Sequence, residues 1–154
     1  AKAMGIRTAM ESMGWAEWKV IEGILPFLDH YLLDMKHMNS GKHQEFTGRG
    51  NGLILENAKK IAESGMTRLS IRVPVIPGFN HTSGEILQIA VFADSLPGVE
   101  EIYLLPYHRL GQDKYEALGR TYELPHILPP EPEYMEMLKR TVEDETGLKC
   151  QIGG

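Results

Sequence analysis

Four short runs of β-forming residues recur along the chain, and their spacing constrains the fold more than any other feature of the sequence. They cover residues 6–10, 31–35, 69–76 and 102–105. Each gap between them is long enough for a helix, which is what a parallel sheet requires, since its strands are joined by right-handed crossovers. The spacing therefore predicts an α/β fold with parallel strands, either a partial barrel or an open α/β sheet.

Helix start and stop signals support this βα repeat. The second predicted helix has a regular apolar face, with Asn51 placed to cap its start and Gly65 to end it. The third opens with a capping box at residues 82–85. Apolar spacing predicts a first helix over 15–25 and a last helix over 133–145. Each of these helices is expected to cover the sheet with its apolar face.

Composition narrows the class of protein. A chain of 154 residues with 42% hydrophobic and 24% charged residues predicts one soluble globular domain over residues 1–154. No apolar stretch approaches the roughly 20 residues that a membrane span needs. The net charge of -5 and the scattered basic residues argue against nucleic acid as a partner. A single cysteine and the lack of a signal-peptide pattern favour a reducing cytoplasm.

Polar residues collect where the predicted strands end. They are Glu11 and Ser12 after the first strand, Asp34 and Lys36 after the second, Arg72 in the third, and Tyr107-His108-Arg109 after the fourth. In both candidate architectures, ligands bind at the C-terminal ends of the strands. The sequence therefore predicts a binding site built from these residues.

The residue types indicate an ionic ligand, although each has a simpler alternative. Asp34 and Lys36 are two positions apart on an extended segment, so they point the same way, towards one ligand or into a salt bridge. Arg72 interrupts a buried strand and needs an anion, either a ligand carboxylate or Glu11 across the sheet. Glu11 and Asp34 together suit a cation or neutralise the two basic residues. His108 binds a ligand or finds a partner within its loop.

Other chemistries receive less support. None of the six histidines forms a metal-ligand pair on a helix, which argues against zinc. Cys150 lies close to the last residue and is expected to be structural rather than nucleophilic. The PGFN stretch at 77–80 is a turn signal, and no glycine-rich phosphate loop follows the late strands, so a sugar-phosphate barrel is disfavoured.

Several stretches together resemble a known family. They are GIRTAMESMG at 5–14, LLDMKHMN at 32–39, IRVPVIPGFNHT at 71–82 and LLPYHRLGQDKYEALGRTYEL at 104–124. In order and spacing they are similar to the C-terminal portion of the activating enzymes of glycyl-radical enzymes, of the pyruvate formate-lyase activating enzyme type, in the radical S-adenosylmethionine superfamily. The Asp-x-Lys element and the YHxLGxxKYxxLG pattern are the specific parts.

The resemblance implies a fold and an activity. The fold is the C-terminal part of a partial (β/α) TIM-like barrel whose N-terminal strands and cluster loop are expected upstream of this chain. The parent protein is expected to use S-adenosylmethionine and a [4Fe-4S] cluster to generate a glycyl radical on a partner enzyme, with flavodoxin or ferredoxin as electron donor. Relatives hold the cluster with a CxxxCxxC motif, whereas this chain has only Cys150, so the chain alone is expected to be inactive.

The resemblance also implies roles for individual positions. The residues expected to contact S-adenosylmethionine are Asp34, Lys36, Arg72 and His108. Those expected to hold a monovalent cation beside it are Glu11, Ser12, Asp34 and, through its backbone carbonyl, Leu32. Lys114 and Tyr115 are expected to contact the partner enzyme.

Two alternatives remain open from the sequence. Another radical S-adenosylmethionine enzyme with a different substrate would keep Asp34, Lys36 and Arg72 but need not keep the YHRLG stretch at 107–111, whose presence favours an activating enzyme. A non-catalytic cofactor-binding or interaction module that never had the cluster would bind the cofactor weakly.

Overall fold

Strands and helices alternate along the chain in a computed structural model that describes residues 2–108 and 127–153. The described strands are β1 (Ala9–Ser12), β2 (His30–Asp34), β3 (Arg68–Val75), β4 (Glu101–Pro106) and β5 (Lys149–Ile152). The described α-helices are α1 (Trp18–Ile24), α2 (Ser40–Thr47), α3 (Gly52–Ser64), α4 (Ser83–Asp94) and α5 (Pro132–Glu145). Two single 3-10 turns cover Lys2–Met4 and Leu25–Phe27.

The order of the strands decides between the two predicted architectures. The five described strands form one sheet in the order β1-β2-β3-β4-β5, and every neighbouring pair is parallel. Right-handed crossovers between strands in sequential order place all the connecting helices on the same face. A doubly wound sheet instead reverses its strand order and has helices on both faces. The structure is therefore the partial-barrel form of the predicted α/β fold.

The helix-covered face of the sheet forms a continuous apolar core. Its strand residues are fully or almost fully buried, and they are Tyr31, Leu33, Leu69, Ile71, Val73, Val75, Ile102, Leu104 and Cys150. Met35, directly after β2, is buried with them. Side chains of α3, α4 and α5 pack onto them, including Ile61, Ile89 and Leu138. Cys150 is buried, and burial raises the pKa of its thiol to about 12, which favours a structural over a nucleophilic cysteine.

Two elements were not predicted, for different physical reasons. The four residues of β5 are too few to show an alternating pattern, and pairing with β4 supplies the strand's stability. Helix α2 has almost no apolar face and depends on its ends. There, the Asn39 side chain accepts a hydrogen bond from the Lys42 amide, and Gly48 ends the helix with a φ of 76°.

Some predicted boundaries were also wrong. The first strand lies at Ala9–Ser12 rather than 6–10, because Ala9 is the first residue that pairs with β2 and Ile6 is exposed. The first helix covers only Trp18–Ile24, after which Pro26 falls in a 3-10 turn. Asn51 precedes α3 as predicted, but its side chain makes no capping hydrogen bond.

The predicted capping box of α4 is confirmed, and it also ties this helix to the loop after β2. Glu85 Oε2 accepts hydrogen bonds from Thr82 N at 3.2 Å and Thr82 Oγ1 at 2.7 Å. Glu85 Oε1 accepts from Lys42 Nζ at 2.6 Å and lies 3.2 Å from Nε2 of the buried His37. Because His37 Nδ1 accepts from the Asn39 amide, its Nε2 is the nitrogen that donates.

These contacts control the ionisation of Glu85. Burial raises the pKa of its carboxyl, but hydrogen bonds from Lys42, Thr82 and His37 outweigh burial and lower the pKa to about 2. The carboxylate therefore stabilises the folded state at neutral pH.

None of the helices within the described ranges is long and apolar enough to cross a membrane.

We predict a pH-dependent loss of stability for Glu85→Gln. The folded-state pKa lies below the ordinary value of 4.5, so the carboxylate stabilises the fold above that pH, and its contribution is lost as the pH falls towards 2. Urea unfolding at pH 7 should show a loss of about 1 to 3 kcal/mol that shrinks steadily below pH 4.5. Glu56→Gln, which breaks an exposed pair with Lys60, is the matched control and should change little. A loss that is the same at every pH would contradict this assignment.

Candidate functional site

The sheet face opposite the helices, here called the open face, carries a row of polar side chains. Asp34, Arg72, Tyr103 and Gln151 are aligned across β2, β3, β4 and β5 by the pairing register. They alternate along their strands with the buried core residues, so they point away from the helices. In a barrel this face lines the interior. The polar strand-end residues thus face the interior side of a partial barrel.

Arg72 joins three neighbouring strands through ion pairs on the open face. Its Nε and Nη2 each lie 2.8 Å from Asp34 Oδ1, and its Nη1 lies 2.7 Å from Glu11 Oε1. Burial lowers the pKa of the guanidinium, and the two carboxylates more than offset this, so the pKa is raised above its usual value. Arg72 is therefore a fixed positive charge whose direction is set by two acids.

The two acids differ in exposure. The Glu11 side chain is 62% exposed, whereas the Asp34 side chain is 25% exposed. Asp34 Oδ2 has no partner among residues 2–108 and 127–153. Asp34 can therefore accept a further hydrogen bond while it keeps Arg72, and Glu11 is the partner that solvent can most easily replace.

Lys36 lies just beyond the end of β2 and is half-buried. Within the described part of the chain, its ammonium group makes no hydrogen bond or ion pair. A cation without a partner, close to Asp34 and Arg72 in the fold, is suited to receive an anionic group. The alternative of a simple Asp34–Lys36 salt bridge is not what the structure contains, because Asp34 pairs with Arg72.

The remaining predicted site residues do not all lie on the open face. Ser12 is aligned with the core residue Leu33, so its side chain is on the helix side, where Oγ accepts from the Gly14 amide at 3.1 Å. Leu32 is aligned with Glu11 on the open face. His108 is exposed just after β4, at the C-terminal edge of the sheet. Lys114 and Tyr115 lie outside the described residues.

Neither a metal site nor a cluster site is formed by the described residues. In the ranges 2–108 and 127–153, no group of three or more His, Cys, Asp or Glu side chains is arranged to hold a metal ion. The two carboxylates of Glu11 and Asp34 are both engaged by Arg72. Cys150, the chain's single cysteine, is buried on β5, so the thiolates that a [4Fe-4S] cluster requires are not supplied by this chain.

A second polar group lies deeper on the open face and was not predicted. Glu101 Oε2 accepts from Arg68 Nη2 at 2.7 Å and from the Tyr103 hydroxyl at 2.8 Å. That Tyr103 hydrogen bond lowers the pKa of Glu101 and raises the pKa of Tyr103. His30 Nε2 lies 2.9 Å from Ser70 Oγ, and burial lowers the pKa of this imidazole. Polar and apolar residues alternate in β3, and this alternation is the sequence signal from which a polar open face could have been predicted.

Buried asparagines, also missed by the sequence, hold the loops that follow the strands. Asn57 Nδ2 donates to the carbonyls of Gly14 and Ala16, both at 2.8 Å, in the loop after β1. Asn51 Nδ2 donates in the same way to the two carbonyls at 37–38, both at 2.8 Å, in the loop after β2. A helix-capping role for Asn51 is therefore wrong, since its amide is used across the fold.

A third asparagine links two loops. Asn80 Nδ2 donates to the carbonyl of Lys36 at 2.6 Å and to that of Pro74 at 2.8 Å, while its Oδ1 accepts from the Ile76 amide at 2.8 Å. In a sequence, asparagine before a helix or in a turn is expected to bond locally. The long-range contacts of these amides depend on tertiary packing and carry no local signal.

Curated proteins with similar sequences share one kind of role. The chain is 40% identical to the isethionate sulfite-lyase activating enzyme of Desulfovibrio desulfuricans, over 99% of this chain and 48% of the relative. It is 38% identical to the indoleacetate decarboxylase activating enzyme of Tractidigestivibacter scatoligenes, over 94% of this chain and 45% of the relative. The chain thus spans about half the length of the curated relatives it matches. No protein-family model matches the sequence.

Solved structures of related proteins have the same fold as this chain. A domain of pyruvate-formate lyase-activating enzyme from Bacteroides vulgatus superposes with a TM-score of 0.79 at 30% identity, covering 99% of this chain and 84% of that one. A radical SAM methyltransferase from Sphaerobacter thermophilus shares only the fold, with a TM-score of 0.72 at 12% identity. The chain belongs to the activating enzymes of glycyl-radical enzymes, within the radical S-adenosylmethionine superfamily.

Proposed function

We propose that the protein containing this chain uses S-adenosylmethionine to generate a glycyl radical on a partner enzyme. The observation that carries this proposal is the half-buried Lys36 ammonium, which has no partner among the described residues and follows Asp34 at the C-terminal edge of a partial barrel. Family membership supplies the chemistry that such a site would serve.

The charges at this edge match the charges of S-adenosylmethionine. The cofactor carries an α-carboxylate, an α-amino group and ribose hydroxyls. Lys36 would bind the carboxylate, and Asp34 Oδ2 would accept a hydrogen bond from the amino group or the ribose. Arg72 would also bind the carboxylate of the cofactor if its ion pair with Glu11 were broken. Because the Glu11 side chain is 62% exposed, breaking this pair would cost little free energy.

The chain supplies only part of the reaction. A [4Fe-4S] cluster supplies an electron to S-adenosylmethionine in this superfamily, but the cysteines for it are not in these 154 residues. We therefore propose that these residues form the S-adenosylmethionine side of the site and are inactive by themselves. Flavodoxin or ferredoxin is the proposed source of the electron.

A monovalent cation remains part of the proposal in a restricted form. Its proposed ligands are Glu11, Ser12, Asp34 and the carbonyl of Leu32. Because Arg72 occupies one oxygen of each acid and the Ser12 side chain is on the helix side, a cation would need Asp34 Oδ2 and the Leu32 carbonyl, or a displaced Arg72.

The partner is proposed to be a glycyl-radical enzyme that presents its glycine at the C-terminal edge. His108, exposed after β4, is proposed to contact the cofactor or this glycine segment, and Lys114 and Tyr115 are proposed contacts of the partner. The names of the relatives described above include a decarboxylase, a sulfite-lyase and a pyruvate formate-lyase. Another relative, 34% identical over 99% of this chain, is the trans-4-hydroxy-L-proline dehydratase activating enzyme of Clostridioides difficile, so these four enzymes are the partner types to compare.

We expect one partner in a panel to acquire a glycyl radical. The intact, cluster-loaded protein would be mixed anaerobically with isethionate sulfite-lyase, indoleacetate decarboxylase, trans-4-hydroxy-L-proline dehydratase and pyruvate formate-lyase, with reductant and S-adenosylmethionine. The glycyl-radical EPR signal should develop in one mixture and depend on S-adenosylmethionine. A protein that cleaves S-adenosylmethionine but produces no radical on any of the four would count against an activating role with these partner types.

We also expect Asp34→Asn and Lys36→Met to weaken cofactor binding without unfolding the protein. Each removes one charge from the edge, and a lost charged hydrogen bond corresponds to about a 10- to 100-fold rise in Kd for S-adenosylmethionine. Anaerobic calorimetry on the intact protein would measure this, with Tm as the check on folding. Lys60→Met, on the exposed face of α3, is the control for loss of a lysine. Unchanged affinity in both edge variants would refute their assignment.

A further inference from the structure

The pairing register of β2 and β3 ends at Asp34, two residues before Lys36, and both of these residues are proposed to bind the cofactor. The Met35 amide donates to the carbonyl of Arg72 at 2.8 Å. Two residues further along β3, Pro74 has no N–H group and cannot continue the ladder. The backbone at Lys36 therefore needs another source of support if its side chain is to keep one position.

Asn80 provides that support from the turn at 77–80. Its side chain is fully buried and joins the carbonyls of Lys36 and Pro74, at 2.6 and 2.8 Å, where the strand ladder ends. Oδ1 accepts from the Ile76 amide, so both N–H groups and the oxygen are used. The turn returns Asn80 to this point because Gly78 adopts a φ of 81° and the Asn80 amide donates to the Ile76 carbonyl at 3.2 Å.

Asn51 continues the support along the same loop. Its amide, on a residue that is 3% exposed, donates to the two carbonyls at 37–38. Two buried asparagines, distant from this loop in the sequence, thus bind three successive carbonyls. Asn80 binds the first, at Lys36, and Asn51 binds the next two. Buried hydrogen bonds from side-chain amides restrict a loop strongly, because breaking one leaves polar groups without a hydrogen-bond partner.

We propose that Asn80, together with Asn51, is a positioning residue for S-adenosylmethionine. The two amides hold the backbone after β2 so that the Asp34 carboxylate and the Lys36 ammonium are in place before the cofactor binds. A site that is already ordered binds more tightly, since the loop does not have to be ordered on binding. This inference rests on the proposed function, and neither asparagine touches the cofactor in it.

Asn57 provides a matched control within the same molecule. It is also fully buried and also donates to two carbonyls at 2.8 Å, but those carbonyls belong to the loop after β1, beyond the residues assigned to S-adenosylmethionine. Removing its amide costs the fold two hydrogen bonds, the same number as for Asn51 and one fewer than for Asn80. A difference between Asn51→Ala and Asn57→Ala at a comparable Tm therefore reports on the loop after β2 and not on stability in general.

The test compares Asn80→Ala, Asn51→Ala and Asn57→Ala in the intact protein. Hydrogen exchange without cofactor should be at least about tenfold faster at residues 35–39 in the first two variants and unchanged there in the third. The Kd for S-adenosylmethionine, from anaerobic calorimetry, should rise about 10- to 100-fold for Asn80→Ala and Asn51→Ala. For Asn57→Ala at a comparable fall in Tm, we expect less than about a threefold rise. Rates at saturating S-adenosylmethionine should recover, so that KM changes more than kcat.

The outcomes separate this inference from the proposed function. Wild-type affinity in Asn80→Ala, or an equal loss in Asn57→Ala, would overturn the positioning role while leaving the proposed function intact. A wild-type protein that does not bind S-adenosylmethionine at all would overturn the proposed function itself. If Asn80→Ala does not fold, Asn51→Ala, which acts on the same loop, decides the question.

Discussion

Sequential parallel strands joined by right-handed helices force every described helix onto one face of the sheet, and the rest of the structure depends on that constraint. The strand side chains on the face that the helices cover are apolar, apart from Ser12 at the end of β1. The opposite face remains open and carries the aligned row of Asp34, Arg72, Tyr103 and Gln151. A polar face of this kind is suited to line a barrel in which a charged ligand and a peptide segment meet.

The charged side chains at the C-terminal edge differ in whether they have partners within the fold. The Arg72 guanidinium forms ion pairs with Asp34 and Glu11 and so connects three strands. Lys36, in contrast, has no partner in the described ranges. Asp34 belongs to both groups, because one of its oxygens binds Arg72 and the other has no partner there. The asparagines beneath the edge add the rigidity that Pro74 removes from the strand ladder. The edge therefore has fixed positions for its charges before any ligand arrives.

The sequence predicted the features that have local causes. Repeated β-rich runs, the capping box at 82–85 and the polar strand ends all follow from nearby residues. The first two are confirmed by the parallel α/β fold and by α4, and the third locates the edge of the sheet at which we propose the site. Features that depend on distant residues were missed. The strand β5 is stabilised by β4, and Asn51 bonds across the fold instead of capping α3. The pair of Arg72 with Glu11 was one of the expected alternatives and is confirmed, whereas its pair with Asp34, set by the sheet register, was not predicted. A single sequence contains no local pattern for such contacts.

The most direct test of the account is the EPR spectrum of the intact protein, purified without oxygen and reduced, before and after S-adenosylmethionine is added. We predict a [4Fe-4S] signal that changes on addition of the cofactor, and a change that requires far more cofactor in Lys36→Met. A protein with no cluster signal, or with a signal that S-adenosylmethionine leaves unaltered, would contradict the claim that this edge of the sheet forms half of a radical S-adenosylmethionine site.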